Sequence, residues 1–145
     1  MKKDSSRRSD GWYGFDLDGT LAEFNGWKGI EHIGKPVSRM VELAKKLHAE
    51  GKEVRILTAR ASVKNDEGKK GAAVAKAVIK DWCRKNLGFE PEVTSEKDAH
   101  MIEFYDDSAT QVVPNKGETL EDLSRKGNRK AIARYLAMID KKKGR

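Results

Sequence analysis

Gly14-Phe15-Asp16-Leu17-Asp18-Gly19-Thr20-Leu21-Ala22 closes an apolar run that opens with Trp12-Tyr13. A strand alternates its faces, so Asp16 and Asp18 leave it on one side with Leu17 opposite. Gly19 permits backbone angles closed to other residues, so the chain can turn sharply where the carboxylates emerge. Two acids, a turn and the Thr20 hydroxyl at the carboxyl end of a buried strand suit a hard cation and an anionic substrate. A surface hairpin with an Asp-Gly turn is the plain alternative. The full D-x-D-G-T-L string after an apolar run argues against it.

Outward from this stretch, elements alternate in the order of an α/β sheet. Trp12 to Asp16 reads as the first strand. Pro36 to Glu50 reads as a helix with Val37, Met40, Val41, Ala44 and Leu47 on one face and Gly51 beyond its end. Glu53-Val54-Arg55-Ile56-Leu57 forms a second strand ending at Thr58, followed by a polar segment from Ser62 to Gly71. Gly71 to Leu87 carries Val74, Val78, Ile79, Trp82 and Cys83 at helical spacing. Glu92-Val93-Thr94 is a third strand, and Ile102-Glu103-Phe104-Tyr105 a fourth that runs into Asp106 and Asp107. Gln111-Val112-Val113 is a short strand or a helical turn, ended by Pro114. Adjacent acids repel each other. At the end of a core strand, Asp106 and Asp107 make sense with a divalent cation between them and Asp16.

The D-x-D-G-T string resembles the first motif of the haloacid dehalogenase superfamily of phosphohydrolases. The resemblance runs through Asn115 and implies a Rossmann-like parallel sheet flanked by helices. It also implies a magnesium-dependent hydrolase of phosphate monoesters that works through an aspartyl-phosphate. Asp16 would be the nucleophile, because covalent catalysis splits one difficult step into two. Asp18 would protonate the leaving oxygen and then activate water. Thr58, with the amide of Ala59, matches the second motif and would hold phosphoryl oxygens. Lys97, between the third and fourth strands, is the best-placed third-motif lysine, ahead of Lys64, Lys69 and Lys70. Arg60 lies close enough to Thr58 to touch a substrate, and a flanking surface charge is the other reading. Mg2+ would be held by Asp16, the backbone carbonyl of Asp18, and Asp106 with Asp107.

Many members of the superfamily carry an inserted cap domain. Here Glu23 to Pro36 is long enough only for a hairpin flap, and Thr58 to Lys97 is taken up by one loop, one helix and one strand. The chain therefore resembles capless members with an open site. Trp27, in the flap, would stack on a base or sugar or anchor the hairpin. Tyr105-Asp106-Asp107-Ser108-Ala109-Thr110-Gln111-Val112-Val113 is similar, over a short stretch, to the phosphatase half of phage polynucleotide kinase-phosphatases. Those proteins remove 3'-phosphates from nucleic acid ends. The arginine usual after the two acids is absent, Pro114 interrupts the expected helix, and no G-x-x-x-x-G-K-[ST] loop for a kinase half is present. The substrates implied are nucleotides or 3'-phosphorylated nucleic acid ends.

With 145 residues and a single Cys83, the chain has enough length for a core and no internal disulfide to staple it. A packed, reduced thiol and a cytoplasmic location are expected. No apolar run approaches a membrane span, and Met1 to Arg8 has no apolar segment after it. Residues 1–11 read as a basic flexible arm, 12–140 as the phosphohydrolase domain and 141–145 as a basic tail. From Arg125 to Arg145 there are nine Lys or Arg and one Asp, a local balance of +8 in a chain whose net charge is +7. Within that stretch Ile132, Tyr135, Leu136 and Ile139 form a helical stripe, and Asn128 can cap its start. Arg129, Lys130 and Arg134 fall on the opposite face. A solvated helix face is one reading and a landing strip for nucleic acid the other. The alternative function is thus a catalytically idle domain that binds nucleic acid or a partner through this region.

Overall fold

The computed structural model describes residues 10–125 and 129–144. It divides into two compact units, one of Asp10–Asp107 and one that begins at Ser108. Residues 1–9 of the expected arm, residue 128 with its expected cap, and the last residue lie outside the described residues.

The first unit is an α/β layer structure on a four-stranded, all-parallel sheet of order β3-β2-β1-β4. Its strands are β1 (Trp12–Phe15), β2 (Glu53–Leu57), β3 (Glu92–Thr94) and β4 (Met101–Tyr105). Helix α1 (Ser38–Ala49) joins β1 to β2, and α2 (Gly68–Leu87) joins β2 to β3. Both crossovers step the same way across the sheet, so the usual right-handed connection places both helices on one face. There they touch each other. Phe15, Leu17, Val54 and Ile56 meet Val41, Ala44, Ile79 and Cys83 in this core. Cys83 is free and buried, and burial pushes its thiol up to about 12. The reduced thiol therefore packs as a small apolar group.

The other face is more polar. Trp12 is fully buried there, with the Arg55 guanidinium 4.7 Å from its ring and its indole N–H donating to Asp98 at 2.8 Å. The β3–β4 connection supplies Asp98. It crosses back beneath two strands without a helix.

Three local expectations are corrected. Helix α2 begins at Gly68 rather than Gly71, and its buried stripe is Ala72, Ala75, Ile79, Cys83 and Leu87. Val74, expected on that stripe, is exposed. Small residues face inward because α2 runs close against a 3-10 turn at Ala59–Ala61. Second, Glu23 to Pro36 is a loop rather than a hairpin. A single bridge between Ala22 and Pro36 closes its neck, and Glu23 N–H donates to the Lys35 carbonyl at 2.8 Å. Third, Leu136 leaves the expected apolar stripe: it is 51% exposed, while Tyr135 and Ile139 are buried.

The second unit holds α3 (Leu120–Arg125) and α4 (Arg129–Lys142), which pack around Val113, Leu123, Tyr135 and Ile139. Val112 bridges to Thr119 as an isolated antiparallel pair. Among the described residues, no helix is long and apolar enough to cross a membrane.

Candidate active site

In this strand order the chain steps from β1 to β2 on one side and later places β4 on the other. The carboxyl ends of β1 and β4 therefore flank a switch point, where open α/β sheets take ligands. Asp16 sits there, its N–H donating to the Tyr105 carbonyl at 2.9 Å. The next turn is wound around one oxygen: the Leu17 carbonyl accepts from the N–H groups of Thr20, Leu21 and Ala22 at 3.2, 3.0 and 2.9 Å. Gly19 has φ 87° and a Cβ there would lie 2.5 Å from an oxygen of Asp107, so conformation and space both demand glycine.

Thr20 is the clamp between the two ends. Its hydroxyl donates to Asp107 Oδ1 at 3.1 Å and accepts from the Asp107 N–H at 3.1 Å. With Asp107 fixed, Asp16, Asp106 and Asp107 each bring one oxygen within 4.8 Å of the others. Burial, above all, pushes the Asp16 carboxyl up to about 7, helped by its hydrogen bond to Asp107 and by the charges of Asp106 and Asp107. The Leu17 N–H works against this shift. That same hydrogen bond from Asp16 is the main reason Asp107 lies below the usual carboxylate range, with the Thr20 hydroxyl adding to it. Their contact thus favours a proton on Asp16 beside an ionised Asp107. Converging oxygens of this kind fit a hard divalent cation, whose charge would take the place of that proton.

The Asp18 side chain lies outside this cluster and meets Arg60 instead. Arg60 Nε donates to Asp18 Oδ2 at 2.7 Å and Nη2 to Oδ1 at 2.8 Å, a two-pronged grip on a half-buried carboxylate by an arginine that is itself only 8% exposed. Arg60 Nη1 also reaches the Ile30 carbonyl at 3.4 Å, and its guanidinium lies 4.7 Å from the ring centre of Trp27. The 3-10 turn makes this possible, because Thr58 Oγ1 accepts the Arg60 N–H at 3.2 Å and folds the chain back inward. Thr58 itself is buried, with its N–H donating to Thr94 across the sheet at 2.9 Å. Ala59 is exposed at the start of the turn.

Among the described residues the buried polar or charged side chains are Thr20, Thr58 and Arg60, and all three border this carboxyl edge. The sequence reading left Arg60 between substrate contact and surface charge. The signal that places it was its two-residue spacing from a strand-closing threonine, which a tight turn converts into burial. Lys97 is exposed in the β3–β4 connection. Its neighbour Asp98 is tied to Trp12 at the start of β1, the opposite end from Asp16. No hydrogen bond or ion pair joins Lys97 to the carboxylates among the described residues. Lys64, Lys69 and Lys70 are exposed before and at the start of α2.

Comparison with protein-family models and with curated proteins finds no match for this chain.

Proposed function

We propose that the chain is a magnesium-dependent phosphohydrolase that acts on phosphate monoesters through an aspartyl-phosphate, with a haloacid dehalogenase-like domain that lacks a cap. The observation that carries the reading is the convergence of Asp16, Asp106 and Asp107 beside a buried Thr58, with Asp18 gripped by Arg60 two residues further along the same turn. Support for an open, capless site is that the described connections of the first unit hold two helices and one 3-10 turn and no inserted domain.

In this reading an oxygen of Asp16 attacks phosphorus and the bond to the leaving oxygen breaks, while that oxygen takes a proton from Asp18. Water then gives a proton to Asp18 and attacks the aspartyl-phosphate, which releases inorganic phosphate and restores the Asp16 carboxylate. Arg60 occupies one lone pair on each Asp18 oxygen and leaves the others for the leaving group and for water. Thr58 and the Ala59 amide hold phosphoryl oxygens. Asp16, Asp106 and Asp107 would hold Mg2+, which offsets charge on the phosphoryl group when bound.

The test is hydrolysis of an aryl phosphate with magnesium and with chelator. Asp16→Asn keeps the shape and removes the attacking charge, so turnover should fall by roughly three orders of magnitude or more. A folded Asp16→Asn variant with near wild-type, magnesium-dependent turnover overturns the assignment.

A second reading belongs to the other unit. Helix α4 exposes Arg129, Lys130, Arg134, Lys141 and Lys142, and this charge favours contact with a polyanion such as nucleic acid.

A further inference from the structure

Beside Asp18 and Arg60 lies a cavity of about 270 Å3 whose remaining wall is the 23–35 loop. The loop has a built shape. A Cβ on Gly34 would lie 2.0 Å from the Glu23 carbonyl, so the neck closes only around glycine. The Trp82 indole N–H donates to the Gly34 carbonyl at 3.1 Å and ties the neck to α2, while Arg60 holds the middle of the loop at Ile30. This well-anchored loop nevertheless presents aromatic rings to water. Phe24 is 46% and Trp27 58% exposed, and no other Phe, Trp or Tyr among the described residues is exposed. Both stand in one loop at the edge of the proposed active site. The Arg60 guanidinium lies 4.7 Å from the centre of the Trp27 ring, which stands next to the cavity-lining Lys28 in the loop.

The cavity also carries charge beyond what a single phosphoryl group needs. Lys28 and Lys35 supply that charge, on a wall that also holds Phe24, Ile33, His32 and the carboxylate of Glu23. Flat apolar surface with cations around it matches a planar ring that carries phosphate. The volume sits at the low end for ligand pockets, roughly 300 Å3, which is room for one nucleoside-sized group and not for a strand of several.

We propose that the 23–35 loop recognises the base of a phosphorylated nucleotide, stacking it on Phe24 and the exposed Trp27 ring while Lys28 and Lys35 meet negative charge beyond the reacting phosphate. The proposal rests on the phosphohydrolase reading for where that phosphate lies. The same chemistry is offered by a free nucleotide and by the terminal nucleotide of a nucleic acid.

Equilibrium binding to Asp16→Asn in magnesium tests it without interference from turnover. A nucleoside monophosphate should quench the emission of Trp27 saturably and bind at least about tenfold tighter than ribose 5-phosphate, with Phe24→Ala removing about tenfold of that affinity. Trp27→Phe should remove the quench while calorimetry still detects binding. Ribose 5-phosphate binding as tightly as the nucleotide, unchanged nucleotide affinity in Phe24→Ala, or no nucleotide binding by the folded protein each overturns the proposal. Tighter binding of a 3'-phosphorylated oligonucleotide than of the mononucleotide, weakened by Lys28→Ala, assigns the site to a nucleic acid end; equal binding assigns it to free nucleotide. Failure of the hydrolase reading has its own signature, saturable nucleotide binding with no magnesium-dependent turnover by the wild-type chain. The base pocket survives that result.

Discussion

Asp16 carries the sharpest residue-level consequence of the proposed function, which asks one carboxyl group to be both nucleophile and metal ligand. Its folded value of about 7 lies above its ordinary 3.8, so between those values the metal-free fold binds more protons than the unfolded chain. The stability this contributes is fully present below the lower value and is lost as pH rises through the upper one. A cation must displace that proton, so magnesium should raise the melting temperature more at about pH 8 than at about pH 5.5, with the chelated protein as reference. Equal shifts in thermal melts at both values would remove Asp16 from the ligand set. Asp18 and Arg60 make the second test. Asp18→Asn should slow substrates with poor leaving groups far more than an activated aryl phosphate, because only the former need a proton in the transition state. If Arg60 acts by orienting Asp18, Arg60→Lys should show the same leaving-group dependence, since an ammonium keeps the charge and loses the fork. The losses in kcat/KM should then fail to add in the double variant. Additive losses, or a loss in Arg60→Lys that is uniform across leaving groups, would make Arg60 a structural residue only.

Elements were legible where large apolar side chains carry the period. All four strands and α1 can be read this way, and so can the meeting of Asp16 with Asp106 and Asp107, because each acid pair ends a strand of the same parallel sheet. Helix α2 was harder for a physical reason: its inward face is small where it meets the 3-10 turn, so Ala72 and Ala75 carry the packing while Val74 and Val78 suggest a different stripe. That makes an unusual prediction about size. Ala75→Leu adds volume to a fully buried position and should destabilise the fold by about 1–3 kcal/mol in urea melts. Val74→Ala, at an exposed position, should change stability by no more than about 0.5 kcal/mol. The reverse order would mean that Val74 faces the core after all. Helix α3 had a readable start that periodicity passes over. Thr119 and Asp122 bond reciprocally, Thr119 N–H to Asp122 Oδ2 at 3.0 Å and Asp122 N–H to Thr119 Oγ1 at 3.1 Å, a capping box with Asp in place of Glu. The 23–35 loop misled because its length alone suited a hairpin, whereas no ladder forms beyond the Ala22–Pro36 neck.

Across the whole molecule, charge and chemistry are divided between the two units. The proposed catalytic acids all belong to Asp10–Asp107, whereas the stretch from Arg125 to Arg145 holds a balance of +8, which leaves −1 for residues 1–124. A balance so concentrated is either a solvated surface or a contact for a polyanion, and salt separates the two. Each phosphate neutralised by a Lys or Arg releases condensed counterions, so binding to nucleic acid should weaken steeply and linearly in log salt. Removing Lys141 to Arg145 takes away four positive charges and spares Tyr135 and Ile139, the buried residues of α4. Oligonucleotide affinity should drop and its salt slope flatten, because fewer phosphates are neutralised. Hydrolysis of a small aryl phosphate should stay nearly unchanged, since no group assigned to that chemistry is removed. Should the full chain bind no oligonucleotide at about 50 mM salt, where such contacts are strong, the basic region is a solvated face. A phosphorylated small molecule then becomes the better substrate class, and the aromatic loop beside Arg60 would have to select it without help from the second unit.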